Sequence, residues 1–217
     1  MKNVLEHFTV KKTKLITRDP AFIAANDFID TYNLKVGTTV IEKRSQLAVL
    51  NRNYMAGIRE MQEGRKLYPD ANSTLRVAFG TVQGYYPRDA AHYEFMTTIE
   101  GIMEKMDTTN EDFVVPPKLV ELYNKKDYGR YGVNGTLPVA FIASNHTTGG
   151  NSGSPVLNEK GLLIGTNYDR VWEGTMSDIM FDRDRCRNIS LDIRYTLFII
   201  DKYAGAVNLI KEMDIIQ

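Results

Sequence analysis

The run Thr147-Thr148-Gly149-Gly150-Asn151-Ser152-Gly153-Ser154-Pro155-Val156 concentrates the residue types that nucleophilic acyl transfer needs. Glycines on both sides of a serine allow a tight turn and let a substrate carbonyl come close to the backbone. The amides of Ser152 and Gly150 are then spaced to converge on one point, as a developing oxyanion requires. Losing one such donor typically costs ~10²–10³ in rate. A lone G-x-S-x-G is as readily a Gly/Ser-rich loop. The full ten-residue string, which enters a strand at Pro155-Val156, is the more specific signal.

Two charged residues follow at a spacing that strands can bring back to this serine. Asn158-Glu159-Lys160-Gly161 has turn chemistry, so residues 153–157 are predicted to pair antiparallel with 162–166. Reflection about the middle of that turn sets Ser152 opposite Asn167. Asp169 and Arg170 then fall just past the serine, within ~10 Å given the spacing and rise of β-strands. A guanidinium there binds a substrate carboxylate bidentately and rejects neutral side chains that leave it unpaired. Position alone leaves two readings open, a pocket cation and a solvated surface arginine. An Asp169–Arg170 neutralising pair is disfavoured, because successive strand residues point to opposite faces.

A serine hydroxyl needs a base, and the base needs an orienting carboxylate. Three histidines are candidates. His146 reads as a strand-end or loop residue, His92 sits in a strand or turn, and His7 lies in the N-terminal region with no motif. One cysteine, Cys186, excludes an internal disulfide, and three scattered histidines argue against a zinc site. No metal or cofactor is expected.

The elements that must hold these groups change character near residue 70. Before it, Asp19-Pro20 reads as a helix start and Gly37 as a stop. Phe22, Ala25, Ile29 and Tyr32 recur at helical steps between them. A second helix is predicted over residues 40–66, with Leu47, Leu50, Tyr54, Ile58 and Met61 on one face and Gly64 and Tyr68-Pro69-Asp70 ending it, so that the two form a hairpin. After residue 70 the period falls to two. Leu75, Val77, Phe79 and Thr81 predict a strand, as do Val139-Phe141-Ala143 and Ile189-Leu191-Ile193. Leu162 to Gly165 suits a buried strand. Val114-Val115-Pro116-Pro117 breaks any element, and residues 118–126 form one short helix. Val207, Ile210, Met213 and Ile216 predict a C-terminal helix. The class is α+β, with a helical part over 1–70 and a mainly β part over 71–217.

Composition limits the partners. The chain has 217 residues, with 27 basic and 27 acidic side chains. A net charge of zero gives no support to nucleic-acid or anionic-membrane binding. No apolar run approaches the ~18–20 residues of a membrane span. The first 30 residues lack a signal-peptide core.

The nucleophile string resembles that of chymotrypsin-fold serine peptidases, in the variant found in glutamyl endopeptidases. The resemblance extends through Gly161-Leu-Leu-Ile-Gly165, Asn167-Tyr-Asp-Arg-Val-Trp-Glu-Gly174, Ser177-Asp178-Ile179, Asp192-Ile-Arg-Tyr195 and Phe198-Ile-Ile-Asp-Lys-Tyr-Ala-Gly205. Together these are similar to the C-terminal portion of the bacterial dipeptidyl peptidases of the 7/11 type, and Asp169 to Gly174 point to the type 11 branch. That branch removes N-terminal dipeptides whose second residue is Asp or Glu. The resemblance implies Ser152, not Ser154, as nucleophile, with Gly150 and Ser152 N–H groups as the oxyanion hole. It implies Arg170 in the pocket for the acidic side chain, and Asp169 on the substrate's α-ammonium.

It also implies a fold: the end of an inserted α-helical domain, then the second, C-terminal β-barrel of a chymotrypsin-like peptidase domain with a C-terminal helix. The triad His and Asp come from a preceding barrel, so the chain is expected to be a fragment that is inactive alone. A periplasmic or cell-surface location and a homodimeric parent follow from the same likeness. Two other functions remain open, a small glutamyl endopeptidase-like serine protease and a non-catalytic peptide-binding module.

Overall fold

The computed structural model describes residues 13–65, 67–68 and 72–216. The chain divides into two compact units, Met1–Asn72 and Ser73–Gln217.

The first unit is helical over most of its described length, up to Met61. After a single turn, α1 (Thr13–Thr17), α2 (Pro20–Tyr32) starts where the sequence places it. The Asp19 side chain accepts hydrogen bonds from the amides of Ala21 and Phe22 at 2.8 and 3.2 Å, and Pro20 fills the first helical position. The predicted stop at Gly37 is not made. A glycine ends a helix by taking a left-handed conformation, whereas Gly37 keeps φ −57° and ψ −45°. The chain passes through a π-helical turn, Asn33–Gly37, straight into α3 (Thr38–Met61). The hairpin is therefore replaced by one interrupted helical run. The chain leaves the helical region at Gln62, φ −117° and ψ 51°, and Gly64 takes φ +86°, while Pro69 and Asp70 lie outside the described residues. No residue of α2 or α3 is buried, and Leu50, Tyr54 and Met61 of the predicted face stand open to solvent.

The second unit is built on a five-stranded antiparallel sheet of order β3-β4-β7-β6-β5. Its strands are β3 (Met96–Thr98), β4 (Pro138–Ala143), β5 (Pro155–Leu157), β6 (Leu163–Arg170) and β7 (Asn188–Asp192). A two-stranded ribbon, β1 (Tyr85–Arg88) and β2 (Ala91–Tyr93), stands beside it in the chain order. The hydrophobic core lies mainly among helices. Ile99 of α4 (Ile99–Glu104), Leu119 and Leu122 of α5 (Pro117–Asn124), and Leu197 and Phe198 of α6 (Ile193–Phe198) cluster with Tyr128, Tyr131 and Leu137. Pro117 opens α5 at its first turn, the one place a helix tolerates proline, so the Pro-Pro pair starts an element as well as ending one.

Two strand expectations change. Residues 75–82 form no regular strand: Leu75, Val77 and Phe79 are 92, 77 and 89% exposed. Only the end of the segment takes up strand-like pairing, while the Ala78 carbonyl accepts from Asn145 Nδ2 at 3.0 Å. Ser144 N–H donates to the Thr81 carbonyl, Thr81 N–H donates to Ser144 Oγ, Gln83 N–H donates to the Ile142 carbonyl, and Val82 bridges Ala143. Gly80 is pressed so close to the Ser144–Asn145 backbone that a Cβ would stand 2.6 Å from the Asn145 nitrogen.

In β7 the buried face is the polar one. Asn188, Ser190 and Asp192 are buried, and Ile189 and Leu191 only half so. Asp192 is accounted for as the cap of α6, accepting from the Arg194 amide at 2.9 Å and pairing with its guanidinium. Asn188 and Ser190 belong to the site.

Candidate active site

The serine string forms a loop between β4 and β5, tied at several points. Asn151 N–H donates to the Thr148 carbonyl and Ser154 N–H to the Asn151 carbonyl, while the Asn151 side chain accepts from Thr148 N–H. Gly150 and Gly153 take φ of +100° and +83°, conformations that glycine reaches without strain. Among the described residues, no acceptor lies on the amides of Gly150 and Ser152, although the amides of Asn151, Gly153 and Ser154 are all engaged. The two N–H groups named for an oxyanion hole are thus among those left available in this loop, with the amides of Thr147 and Gly149.

The β5–β6 hairpin forms, with a register two residues away from the predicted one. Its turn closes through Asn158, whose amide donates to the Leu162 carbonyl and whose side chain accepts from Lys160 and Leu162 N–H. The turn therefore centres on Lys160, and a bulge at Ile164 adds the second step, so that Val156 faces Gly165 and Pro155 faces Thr166. Gly153 N–H donates to the Asn167 carbonyl at 2.7 Å, and Ser152 Oγ–H donates to the Tyr168 carbonyl at 3.2 Å. Ser152 thus lies alongside Tyr168 and Asp169, closer to Arg170 than the simple reflection implied. On its other edge β6 is irregular again: Asn167 pairs with Ser190, Asp169 with Ile189 and Arg170 with Asn188, leaving Tyr168 as the extra residue.

A pocket of about 120 Å³ opens at this point, lined by Thr147, Thr148, Gly149, Ser152, Asn167, Tyr168, Asp169 and Arg170. It brings Ser152, Asp169 and Arg170 together; Gly150 is next to the lining through Gly149. Asp169 is exposed, its carboxylate accepting the Arg170 amide at 2.8 Å, and it forms no ion pair with the neighbouring guanidinium. The Tyr168 hydroxyl is pushed up from its ordinary value by burial and by the adjacent Asp169.

The Arg170 guanidinium has a partner the sequence reading did not supply. Nη1 and Nη2 donate to the two oxygens of Asp178 at 2.8 and 2.7 Å, and Nη1 donates again to Ser177 Oγ at 2.7 Å. The hydrogen bond from Arg170 and its charge, with His146 adding to them, hold the Asp178 carboxyl below the usual range despite some desolvation. Ser177 and Asp178 end a 3₁₀ segment, Trp172–Asp178, that folds back from β6. That segment is fastened by Tyr85 OH to Glu173 at 2.5 Å and by Val171 N–H to the Arg187 carbonyl.

Beneath the loop runs a buried polar row. Asn167 Nδ2 donates to the Asn151 carbonyl at 3.2 Å, and Asn188 Nδ2 donates to Asn167 Oδ1 at 2.8 Å and to Ser190 Oγ at 3.2 Å. The residue before the nucleophile is therefore tied through two asparagines to the sheet centre. The polar alternation Asn188-Ile-Ser190-Leu-Asp192 was the available signal.

Two of the three histidines lie among the described residues, each with other partners. His146 donates from Nε2 to the Ser177 carbonyl at 3.1 Å and stacks on Phe181, and His92 packs on Tyr86 and pairs with Glu94. His7 lies outside the described residues.

A family model described as Peptidase S46 matches residues 1–215. The chain is 49% identical over 204 residues to the Asp/Glu-specific dipeptidyl-peptidase of Flavobacterium psychrophilum, a match covering 94% of this chain and 29% of that protein. To the protein of the same description from Capnocytophaga gingivalis it is 53% identical over 175 residues, 80% of this chain and 25% of the relative. To dipeptidyl-peptidase 7 of Phocaeicola vulgatus it is 46% identical over 208 residues, covering 94% and 28%. The crystal structure of Porphyromonas endodontalis DPP11 in complex with substrate superimposes with a TM-score of 0.81 at 43% identity, covering 97% of this chain and 30% of that one. The chain spans less than a third of the length of these relatives.

Proposed function

The chain belongs to the peptidase S46 family, and from that premise we propose that it carries the nucleophile and the acidic-residue pocket of a serine dipeptidyl peptidase. The enzyme releases N-terminal dipeptides whose second residue is Asp or Glu. The observation that carries this reading is the single pocket on which Ser152 and Arg170 meet. The named activity of the relatives, Asp/Glu-specific dipeptidyl-peptidase, supports it.

In this reading the substrate's second side chain enters beside Arg170, and a guanidinium selects a carboxylate there because a neutral side chain leaves its donors unpaired. Asp169, exposed on the same pocket, takes the α-ammonium and so counts off two residues. Ser152 Oγ releases the Tyr168 carbonyl, gives its proton to a base and attacks the carbonyl carbon. The oxyanion then falls on the free amides of Gly150 and Ser152. Collapse expels the shortened peptide's amine and leaves a dipeptidyl ester on Ser152, which water hydrolyses with the same base.

As the family resemblance implies, the base and its orienting carboxylate come from another part of the enzyme; the contacts of His146 with Ser177 and Phe181 and of His92 with Tyr86 and Glu94 support this reading. The antiparallel sheet is then the second barrel of a chymotrypsin-like catalytic domain, and residues 1–70 are the end of a helical domain. A periplasmic or cell-surface location and a homodimeric enzyme belong to the same reading. No helix among the described residues is long and apolar enough to cross a membrane.

The test compares dipeptide reporters ending in Asp, Glu or an uncharged residue on the complete enzyme. Arg170→Gly is expected to lower kcat/KM for the acidic reporters by about 10²-fold or more and to favour apolar ones. Unchanged acidic preference overturns the assignment. The 217-residue chain alone is expected to turn over little reporter and to label slowly with a fluorophosphonate. Robust turnover that Ser152→Ala abolishes would place the base within it.

A further inference from the structure

We infer that Asp178, with Ser177, is a positioning residue that decides which edge of the Arg170 guanidinium meets the substrate carboxylate. The inference rests on the reading of Arg170 given above and concerns how that side chain is held. A guanidinium has five N–H donors in a rigid plane: two on each Nη and one on Nε. They form two edges able to grip a carboxylate with a pair of parallel bonds. One is the end-on edge, Nη1 with Nη2; the other is the side-on edge, Nε with the second hydrogen of Nη2.

Asp178 occupies the whole end-on edge through its two oxygens, and Ser177 Oγ takes the remaining hydrogen of Nη1. Three of the five donors are thus consumed. The two that remain, Nε–H and one Nη2–H, are the side-on edge and nothing else. The guanidinium is left with one geometry in which it can take a carboxylate bidentately.

The clamp is itself built. Ser177 is buried, and its carbonyl accepts from His146; Gly174 N–H closes onto the Val171 carbonyl, and Glu173 is bound by the buried Tyr85 hydroxyl. The arginine side chain keeps only a quarter of its surface exposed. An unclamped arginine on a strand end would sample several rotamers and offer either edge. A clamped one offers a fixed edge at a fixed depth, which matters most for the shorter of two acidic side chains. The ion pair also leaves the empty site without an unpaired cation.

The experiment uses the complete enzyme and three variants, Asp178→Ala, Asp178→Asn and Ser177→Ala, each with matched reporters bearing Asp, Glu or an uncharged residue. Asp178→Ala is expected to raise KM for acidic reporters about 10- to 100-fold with kcat changed much less, as displacement of a positioned group does. The loss is expected to be greater for Asp than for Glu. The uncharged reporter should stay within about 2-fold. Asp178→Asn, which keeps one oxygen acceptor on the end-on edge, should recover part of the loss, and Ser177→Ala should fall between Asp178→Asn and the unaltered enzyme.

An increase in acidic kcat/KM on removing the carboxylate would overturn the inference, since Asp178 would then be a competitor of the substrate. An equal fall for all three reporters would also overturn it, as the mark of general unfolding. Failure of the underlying reading looks different: an unaltered enzyme with no acidic preference removes both.

Discussion

Replacing Asn167 by alanine tests whether the sheet centre holds the nucleophile loop. Asn167 is 5% exposed, donates to the Asn151 carbonyl and accepts from Asn188. Alanine removes both hydrogen bonds, each contributing about 1 kcal/mol net. It also strips Asn188 Nδ2 of its shorter bond, leaving only Ser190 Oγ at 3.2 Å, in a residue whose Oδ1 already has no partner. A buried donor left short of acceptors adds about 1–2 kcal/mol. The expected loss is about 2–4 kcal/mol, or roughly 5–15 °C in Tm for a chain of this size. Urea unfolding of the protein and of Asn167→Ala reads it directly, and fluorophosphonate labelling of Ser152 reports the loop. Asn167→Asp is the sharper variant: it can still accept from Asn188 but faces the Asn151 carbonyl with an oxygen and places a charge in a buried site. It should be worse than alanine at pH 7. A loss below about 0.5 kcal/mol for Asn167→Ala, the scale of an ordinary surface change, would refute the argument that this row anchors the loop.

Two more outcomes follow from glycines and one from pH. Gly165→Ala sets a Cβ 2.6 Å from the Leu191 carbonyl oxygen and 2.8 Å from the Phe141 ring; the ring can yield but the central ladder cannot, so a loss of about 1–3 kcal/mol is expected by thermal unfolding. Gly101→Ala, in α4 with open space around it, should instead stabilise by about 0.5–1 kcal/mol. Asp178 has a folded pKa below its unfolded value of about 3.9, so its pair with Arg170 stabilises fully above that value and is lost as pH falls through the folded one. The Tm difference between the protein and Asp178→Asn should therefore be constant from pH 7 to about 5 and vanish on further acidification; a difference that grows below pH 4 contradicts the pairing.

Legibility tracked how local each cause was. The Asn158–Gly161 turn and the Asp19-Pro20 helix start are set by residues in direct sequence contact, and both stand where the sequence places them. The nucleophile loop was legible for the same reason: its glycines announce the backbone that φ +100° and +83° then express. The hairpin register failed by two residues, one because the turn centres on Lys160 and not between Glu159 and Lys160, the other because the bulge at Ile164 carries no composition signal. Residues 75–82 alternate correctly, yet a strand exists only where a neighbour pairs with it, and β4 meets just the last few. In β7 the rule that apolar residues face inward chose the wrong face, since Asn188, Ser190 and Asp192 find partners in β6, in α6 and in one another. Asp178 carries no signal of its own in the sequence; its place beside Arg170 depends on a fold-back after β6 that no periodicity encodes.

The unmatched Tyr168 has an arithmetical consequence. Residues directly opposite in an antiparallel ladder share a face, and Asn167 opposite Ser190 marks the polar side. In an uninterrupted strand the next residue on that side would be Asp169. The surplus tyrosine shifts the count by one, so Arg170, opposite Asn188, is delivered there instead. Which sign of charge is presented is thus governed by the parity of the strand as much as by its letters. Drawing Tyr168 into regular register opposite Ile189 would set Asp169 opposite Asn188 and exchange a cation for an anion on that side, whereas deleting residue 168 would leave Arg170 where it is, so the pairing of one residue carries a selectivity that a comparison of substitutions alone would never register.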